Sequence, residues 1–372
     1  MKFNTIHSQL KRAAIEGWDD ALLAEESVNL AEQILIGAKR GQRLRERLEA
    51  WKMHRMLGDP AGKLFALEMA DQVFRPREAW RAASQFRYLL ESRGAPEYLP
   101  LHERIGLALA AAGSRLAPEV VMSAVTAKMR QESRKVVLPA EEGFMDRHIA
   151  KRRRMGARLN LNLLGEAILG EEEAARRLEE NIRRLESSGC DYISVKISSV
   201  FSQVNVLAYE DTLEKVKEPL RQLYRAAQAN AVEGRAKFVN LDMEEYRDLH
   251  LTCDAFQAVL SEDEFRELEA GIVLQAYLPD SFELQKKLTG WACKRRSRGG
   301  AGIKLRIVKG ANLAMEKVEA AVHGWEQAPY RFKGDVDANF KRMLHYACEK
   351  HHAEAVRIGV GSHNLFDISY AL

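Results

Sequence analysis

Two cationic residues sit on and just after a strand-like segment, next to two small residues. They are Arg306 and Lys309, followed by Gly310 and Ala311. The small pair lets a ligand approach the backbone closely. Two cations beside accessible amides suit a phosphate group, or an electron-rich ring that gains negative charge. The alternative is that these cations form structural salt bridges with nearby carboxylates such as Asp242 or Glu244.

Three more polar residues end or follow strand-like segments. Lys196 could pair with a substrate carboxylate as a point charge, or extend to the solvent-exposed rim. Asp242 could neutralise Lys196 or Arg306 or orient a ligand, and a simple ion pair at the rim is the other interpretation. Gln275 could bond the edge of a heterocycle, since its amide both donates and accepts; a buried amide satisfied by its neighbours is the alternative.

The segment Ser362-His363-Asn364 adds one histidine, which could act as a base, a metal ligand or a ligand contact. No HxH or HExxH spacing lies near it, and His351-His352 falls in a helical pattern that predicts exposure. A zinc or manganese hydrolase needs several inward ligands, and the sequence offers too few. GxGxxG and GxxxxGK[ST] motifs are both absent, so Rossmann and P-loop sites have no support. We therefore predict no metal site.

Strands alternating with amphipathic helices would have to position these residues. From about residue 157 such alternation is continuous, and it predicts a parallel sheet. The predicted helices include Glu171–Ser188, Thr212–Gln228 and Val336–His351. The predicted strands are Leu159–Leu164, Asp191–Ile197, Phe238–Asp242, Ile272–Tyr277, Ile303–Val308 and Val356–Val360.

Alternation within the strands selects the architecture. In the fifth strand Leu305 and Ile307 oppose Lys304 and Arg306, and the other strands also have one apolar face. A doubly wound sheet would need two apolar faces. We therefore predict an α/β fold, a parallel (β/α)8-type barrel whose polar face lines the lumen. Buried charges are costly unless paired or serving a ligand, and barrels build their sites at the C-terminal strand ends, so an enzyme is favoured.

The region before the barrel lacks a convincing strand. Residues 1–150 are rich in Ala, Leu, Glu and Arg at helical spacing, with breaks at Gly58-Asp59-Pro60 and Gly94-Ala95-Pro96. We predict two domains, an all-helical region over residues 1–150 and a barrel over residues 151–372.

Composition limits the partners and the compartment. The 372 residues include 57 basic and 53 acidic side chains, a net charge of +4 that gives little support to nucleic-acid binding. The run Lys151–Arg154 is interpreted as a solvated helix face or a domain junction. Four cysteines without CxxC spacing indicate reduced thiols in the cytoplasm. No apolar run approaches the roughly 20 residues that span a bilayer, and a peripheral membrane contact stays open.

Six segments, in order along the chain, resemble the proline dehydrogenase family, most closely the dehydrogenase part of the bifunctional proline utilization A proteins. The helical N-terminal region also resembles the arm and α-domain that precede the barrel in this family. Each segment alone is weak, and together they are specific. They are Asn162–Ala167, Ser194–Ser199, Asn240–Tyr246, Val273–Leu278, Arg306–Asn312 and Gly361–Asn364.

The resemblance implies FAD at the mouth of the barrel and oxidation of L-proline to Δ1-pyrroline-5-carboxylate, the first step of proline catabolism to glutamate. It implies that Lys196 pairs with the proline carboxylate, that Asp242 lies between this lysine and the flavin, and that Arg306 lies beside flavin N5. The resemblance also implies that electrons pass to a quinone. The expected location is the cytoplasm, with a peripheral contact at the inner membrane left open, and the sequence does not decide whether the chain forms an oligomer. The implied cofactor residues are Asp242, Val273, Gln275, Arg306, Val308, Lys309, Gly310, Ala311, Ser362, His363 and Asn364.

Two features depart from the family pattern. Asn312 stands where family members commonly have an aromatic residue. The chain also ends at Leu372, so we expect an N-terminal fragment, truncated after about six strands and without the paired arginines that clamp the proline carboxylate or an aldehyde dehydrogenase half. No basic DNA-binding segment precedes the helical region, so no repressor role is expected. Two alternatives stay open, a non-catalytic fragment and a metal-assisted barrel enzyme using Asp242, Glu244 and His363.

Overall fold

The computed structural model describes residues 20–134, 137–139, 143–163, 168 and 170–372. They form two compact units. One is Gln33–Met145, and the other is Asp146–Leu372 together with the described residues up to Glu32. The division predicted between residues 150 and 151 stays a prediction of domain organisation. The chain start, Leu164 and the Gly165–Ala167 part of the first family-like segment lie outside the described residues.

The first unit is helical. Its core packs Phe65, Met69, Val73, Phe86 and Leu89, all nearly inaccessible to solvent. A π-helical turn at Met69–Val73 follows the third helix. The helices up to the barrel are α1 Asp20–Gly41, α2 Leu44–Leu57, α3 Pro60–Glu68, α4 Ala79–Arg93, α5 Leu101–Gly113, α6 Pro118–Ser133 and α7 Phe144–Arg154.

A capping motif explains the break before α3. Asp59 accepts a hydrogen bond from the Gly62 amide at 2.7 Å, and Pro60 occupies the first helical position. The first backbone N–H groups of a helix have no acceptor within the helix, and a carboxylate at the preceding position can accept their hydrogen bonds. The bond from Gly62 is the main reason that the pKa of Asp59 is lowered. On α7, the basic run Lys151–Arg154 is exposed in the last turn.

The second unit carries one six-stranded parallel sheet in the order β1 to β6, as the predicted α/β architecture requires. Its strands are β1 Leu161–Asn162, β2 Tyr192–Val195, β3 Phe238–Leu241, β4 Gly271–Gln275, β5 Ile303–Val308 and β6 Val356–Gly361. Its helices are α8 Glu171–Glu186, α9 Ile197–Val200, α10 Tyr209–Ala229, α11 Leu249–Leu260, α12 Asp280–Ser297, α13 Leu313–His323, α14 Lys333–Cys348, α15 Lys350–Ala353 and α16 Leu365–Ala371. Helices α8, α10, α12, α14 and α15 pack against the strands.

The strand predictions are right about which segments form strands, and β5 has the predicted bounds. The prediction that Ile197 belongs to the second strand is wrong. The backbone turns into α9 at this residue, and Ile197 packs with Phe201, Val216 and Leu251 in a separate apolar cluster. The predicted helix Val336–His351 is also broken, at Glu349 between α14 and α15.

The predicted alternation is confirmed most clearly in β5. Ile303, Leu305 and Ile307 are buried, whereas Lys304, Arg306 and Val308 are partly accessible. The apolar faces of the strands meet helix residues such as Phe256, Leu288 and Phe340 in one large core. The fold is therefore a partial barrel with a helix-facing apolar side, because only that side is needed to dock the helices.

The lumen face is polar near the strand ends and aromatic below them. Tyr192 and Phe238 pack edge to face with ring centres 4.9 Å apart, and Lys304 Nζ lies 5.2 Å from the Tyr192 ring centre. A cation over an aromatic face compensates part of the cost of burying the ammonium. Tyr192, Phe238 and Lys304 thus pack together on the lumen face below the strand ends. In the described residues, no helix is both long enough and apolar enough to cross a membrane.

Candidate active site

A cavity of about 480 Å³ opens at the C-terminal ends of β2 to β6. That volume falls in the range of small-molecule sites, about 300–1,000 Å³. Every predicted site residue except Asn364 lines it, and four further residues contribute. The lining consists of Lys196, Asp242, Met243, Glu244, Val273, Gln275, Arg306, Val308, Lys309, Gly310, Ala311, Asn312, Gly361, Ser362 and His363.

The centre of this cavity holds an ion pair between Arg306 and Asp242. The guanidinium donates to Asp242 Oδ1. Asp242 also accepts from Asn162 Nδ2 at 3.0 Å and from Asn240 Nδ2 at 2.8 Å. Burial raises the pKa of Asp242, and the positive charge of Arg306 opposes that rise. The pair therefore fixes the orientation of a cation in a partly dry site.

A second ion pair joins Lys196 to Glu244. Lys196 Nζ lies 2.5 Å from Glu244 Oε1, and the Ser198 hydroxyl donates to Glu244 Oε2 at 3.2 Å. Two of the cations that line the cavity, Lys196 and Arg306, thus each pair with a carboxylate that also lines it. Both the functional and the structural interpretation of these cations are compatible with such pairs.

Gln275 is buried at the end of β4, with its amide nitrogen donating to the backbone oxygen of Glu244 at 3.2 Å. Its Oε1 has no hydrogen-bond partner among the described residues. The same holds for Nε of Arg306. A buried acceptor and a buried donor left open in one cavity indicate a polar ligand, since such groups are rarely left unpaired.

Lys309 forms ion pairs with other carboxylates than the two that the sequence analysis named. Its ammonium contacts Asp337 on α14 at 2.5 Å and Asp367 on α16 at 2.7 Å, rather than Asp242 or Glu244. Burial acts to lower the pKa of Lys309, but the two carboxylates outweigh burial and the pKa is raised. Lys309 therefore ties the loop after β5 to two helices and stays charged.

Gly310 has a structural reason to be glycine that the sequence did not reveal. Its φ is 127°, a conformation that side chains rarely adopt, and a Cβ there would overlap the ring of Tyr277. The glycine lets this ring pack under the cavity wall. Close approach of a ligand, the predicted reason, is therefore not required to explain it.

The three predicted cofactor residues after β6, Ser362, His363 and Asn364, make different contacts. Ser362 donates to Asp367 Oδ2 at 2.8 Å, and exposed His363 lines the cavity. Asn364 does not line it. Its Oδ1 accepts from the Phe366 amide at 2.9 Å, so this side chain caps α16. The described structure thus places Asn364 in a capping position rather than at the cavity.

The predicted flavin and proline site omitted Met243, Glu244, Asn312 and Gly361, and Glu244 was named only as an ion-pair partner or a residue of the metal-assisted alternative. Strand alternation does not reach Glu244, because β3 ends at Leu241. Asn312 had been noted only as a departure; its Nδ2 donates to the backbone oxygen of Glu244 at 2.8 Å. Nothing in its local sequence indicates that contact.

The residues of the metal-assisted alternative line the same cavity but do not form a close ligand cluster. Asp242 and Glu244 are each paired with a cation, and His363 does not join them in a ligand cluster. Among the described residues, the one group of three side chains close enough to share an ion is Glu349, His351 and His352, outside the cavity lining. Among its described residues, the cavity therefore has no group of side chains with the spacing of a metal site.

Comparisons with known proteins identify the family and the fold. A family model described as proline dehydrogenase matches residues 145–372. Proline utilization A from Corynebacterium freiburgense is 48% identical over 66% of this chain and 25% of that chain, with a TM-score of 0.62. Proline utilization A from Bdellovibrio bacteriovorus is 25% identical over 94% of this chain and 36% of that chain, with a TM-score of 0.74.

A third solved structure shows the fold alone. Proline utilization A from Bradyrhizobium japonicum is 16% identical over 99% of this chain and 39% of that chain, with a TM-score of 0.65. The chain thus spans between 25% and 39% of the length of these three solved relatives. A comparison with curated protein sequences found no match.

Proposed function

The chain belongs to the proline dehydrogenase family, and from this premise we propose that it oxidises L-proline to Δ1-pyrroline-5-carboxylate with FAD as the hydride acceptor. The observation that carries the proposal is the convergence of Lys196, Asp242, Gln275 and Arg306 on one cavity. Each comes from the end of a different strand. Family membership alone would leave open whether this chain can assemble the site.

The residues present fit a flavin ring. Its heterocyclic edge offers both N–H donors and carbonyl or ring-nitrogen acceptors. The unpaired Oε1 of Gln275 and Nε–H of Arg306 are a matching acceptor and donor in the same cavity. The remaining wall, from Val308 to Ala311 with Ser362 and His363, would hold the rest of the cofactor. Asn364 is left out of the proposal because it caps α16.

Arg306 would supply the electrostatic part of the reaction. FAD, when bound, provides the acceptor for the hydride leaving the carbon beside the ring nitrogen of proline. The acceptor side of the site gains negative charge as this happens. A guanidinium already oriented by Asp242 stabilises that charge without reorganising. We assign this role to Arg306 and the orienting role to Asp242.

Lys196 would position the substrate. Its ammonium is a compact charge suited to a carboxylate, and it stands at the end of β2, beside Asp242. Holding the carboxylate of a five-membered ring also fixes where the ring carbon on the far side of the nitrogen lies. That carbon loses the hydride, and its position is the main requirement for hydride transfer. Re-oxidation by a quinone is included in the proposal and rests on the family resemblance. A cytoplasmic location, a peripheral contact with the inner membrane and an oligomeric state stay predictions from the sequence.

The test uses the purified 372-residue chain. Flavin absorbance bands and proline-dependent reduction of a dye are expected. N-propargylglycine, which inactivates the Bdellovibrio bacteriovorus relative, should also inactivate this chain in a time-dependent way. Flavin binding without proline turnover would support the non-catalytic alternative. A colourless protein that carries stoichiometric metal would overturn the proposal.

A further inference from the structure

Glu244 stands out because no part of the proposed reaction uses it. Its carboxylate accepts from Lys196 at 2.5 Å and from Ser198 at 3.2 Å. Within the described part of the chain, Glu244 Oε1 is the one hydrogen-bond acceptor of Lys196 Nζ. The side chains of this pair are 26% and 21% accessible, so both charges lie at the cavity surface rather than in the protein interior.

The position of Glu244 is held from two directions. Asn312, at the start of α13, donates to its backbone oxygen at 2.8 Å, and Gln275, at the end of β4, donates to the same oxygen at 3.2 Å. Both amides line the cavity that holds Lys196. Glu244 is therefore a fixed part of the cavity wall, and its charge is placed near Lys196 by the fold.

The two carboxylates of the cavity are anchored differently. Asp242 has two asparagine amides besides Arg306, whereas the Glu244 carboxylate has one hydroxyl besides Lys196. An anion that approaches Lys196 must share the ammonium with Glu244 and meets its negative charge. Like charges this close repel strongly in a partly buried site.

We propose that Glu244 is a specificity-determining residue: it is the exchangeable counter-ion of Lys196 and sets how tightly the site holds a carboxylate. It weakens binding of monocarboxylates to a moderate level and excludes ligands with a second negative charge. This inference deepens the proposed function and rests on it for the identity of the substrate. Its electrostatic content can be tested without turnover.

The test compares Glu244→Gln with Glu245→Gln in the purified chain. Glu245 is the matched control, since it is adjacent, pairs with Arg247 and does not line the cavity. Calorimetry with cyclopentanecarboxylate, a five-membered ring with one carboxylate, measures binding directly. Glu244→Gln should bind it on the order of tenfold more tightly, and glutarate should gain more because it carries two charges. Glu245→Gln should change either affinity by less than about twofold, because its charge is screened.

A double-mutant comparison separates the counter-ion from a structural role. In a Lys196→Met background, Glu244→Gln should lose most of its effect on carboxylate affinity, because the charge to which Glu244 is coupled is gone. An equal gain with and without Lys196 would overturn the proposal, as would unchanged or weaker binding by a folded Glu244→Gln chain. Thermal melting checks folding.

Proline kinetics distinguish this inference from the proposed function. Glu244→Gln should lower KM for proline more than it changes kcat, since the effect lies in binding. Proline turnover with an unchanged KM overturns the role of Glu244 and leaves the proposed function intact. Tighter carboxylate binding by Glu244→Gln without any proline turnover would support the role of Glu244 and overturn the proposed function.

Discussion

Arg306 on β5 reaches across β4 to the carboxylate of Asp242, which directly follows β3. In the sheet register Arg306 pairs with Val273 of β4, so the guanidinium passes this side chain to donate to Asp242 Oδ1. The ion pair therefore links β5 to the end of β3 across the intervening β4. It also gives the site a cation whose direction is set before any ligand arrives.

Replacing Arg306 tests the electrostatic role. Arg306→Met should slow flavin reduction by proline on the order of a hundredfold or more, because one preoriented charge is lost. Stopped-flow absorbance at the flavin band measures the rate. Arg357→Gln is the control, since Arg357 is an exposed arginine on β6 paired with Glu269. Equal rates for the two variants would contradict the assignment.

Asp248 should make stability depend on pH. It is 6% exposed, and its Oδ1 has no hydrogen-bond partner among the described residues. Burial, opposed by Arg247 and aided by nearby glutamates, raises the pKa of Asp248 to about 6. A raised carboxyl pKa means that the folded state binds the proton more tightly than the unfolded state. Stability is therefore lost as pH rises from the ordinary value of 3.8 to about 6.

Asp248→Asn should remove this loss. The variant should be more stable than the parent at pH 7.5 by about 2 kcal/mol, and the difference should shrink towards pH 4. Denaturant unfolding at the two pH values measures it. A constant difference across this range would show that the titration of Asp248 is not its cause.

Arg295 is a buried arginine that serves the backbone. Its guanidinium donates to five carbonyl oxygens at 2.6 to 3.2 Å, those of Leu260, Phe265, Arg266, Leu268 and Ala301. Arg295→Met would leave these acceptors unpaired, and a loss of about 3–5 kcal/mol in the free energy of unfolding is expected. Arg296→Met is the control, because Arg296 is exposed and has one such bond at 3.3 Å. Similar losses in the two variants would refute the argument.

Gly310→Ala tests the contact with Tyr277. The positive φ and the overlap of a Cβ with the Tyr277 ring should together destabilise the chain by about 1–3 kcal/mol. The cavity wall would also shift, so flavin content after purification should fall. Gly290→Ala is the control and should have the opposite effect, because Gly290 lies inside α12 and a Cβ added there would meet open space. That change should stabilise by about 1 kcal/mol. A neutral Gly310→Ala would mean that the ring can move aside.

Local alternation was enough to predict which residues face the lumen. The pattern of Lys304 and Arg306 against Leu305 and Ile307 follows from a strand backbone that points successive side chains to opposite faces. Because this rule acts over two residues, it needs no knowledge of the rest of the chain. The family-like segments then added the identity of the site. The bends at strand ends, such as Ile197 entering α9, depend on packing and were missed.

Pairing between distant residues was decided by the tertiary structure. Lys309 meets Asp337 and Asp367 on two later helices, and Lys196 meets Glu244 after the next strand along the chain. Several carboxylates in the sequence could have served either lysine, and the choice is made by how helices and strands pack. The sequence by itself thus determined the barrel, its lumen face and most of the cavity lining. Only the fold decided which charges neutralise each other, because Coulomb interactions depend on distances in space that separation along the chain does not set.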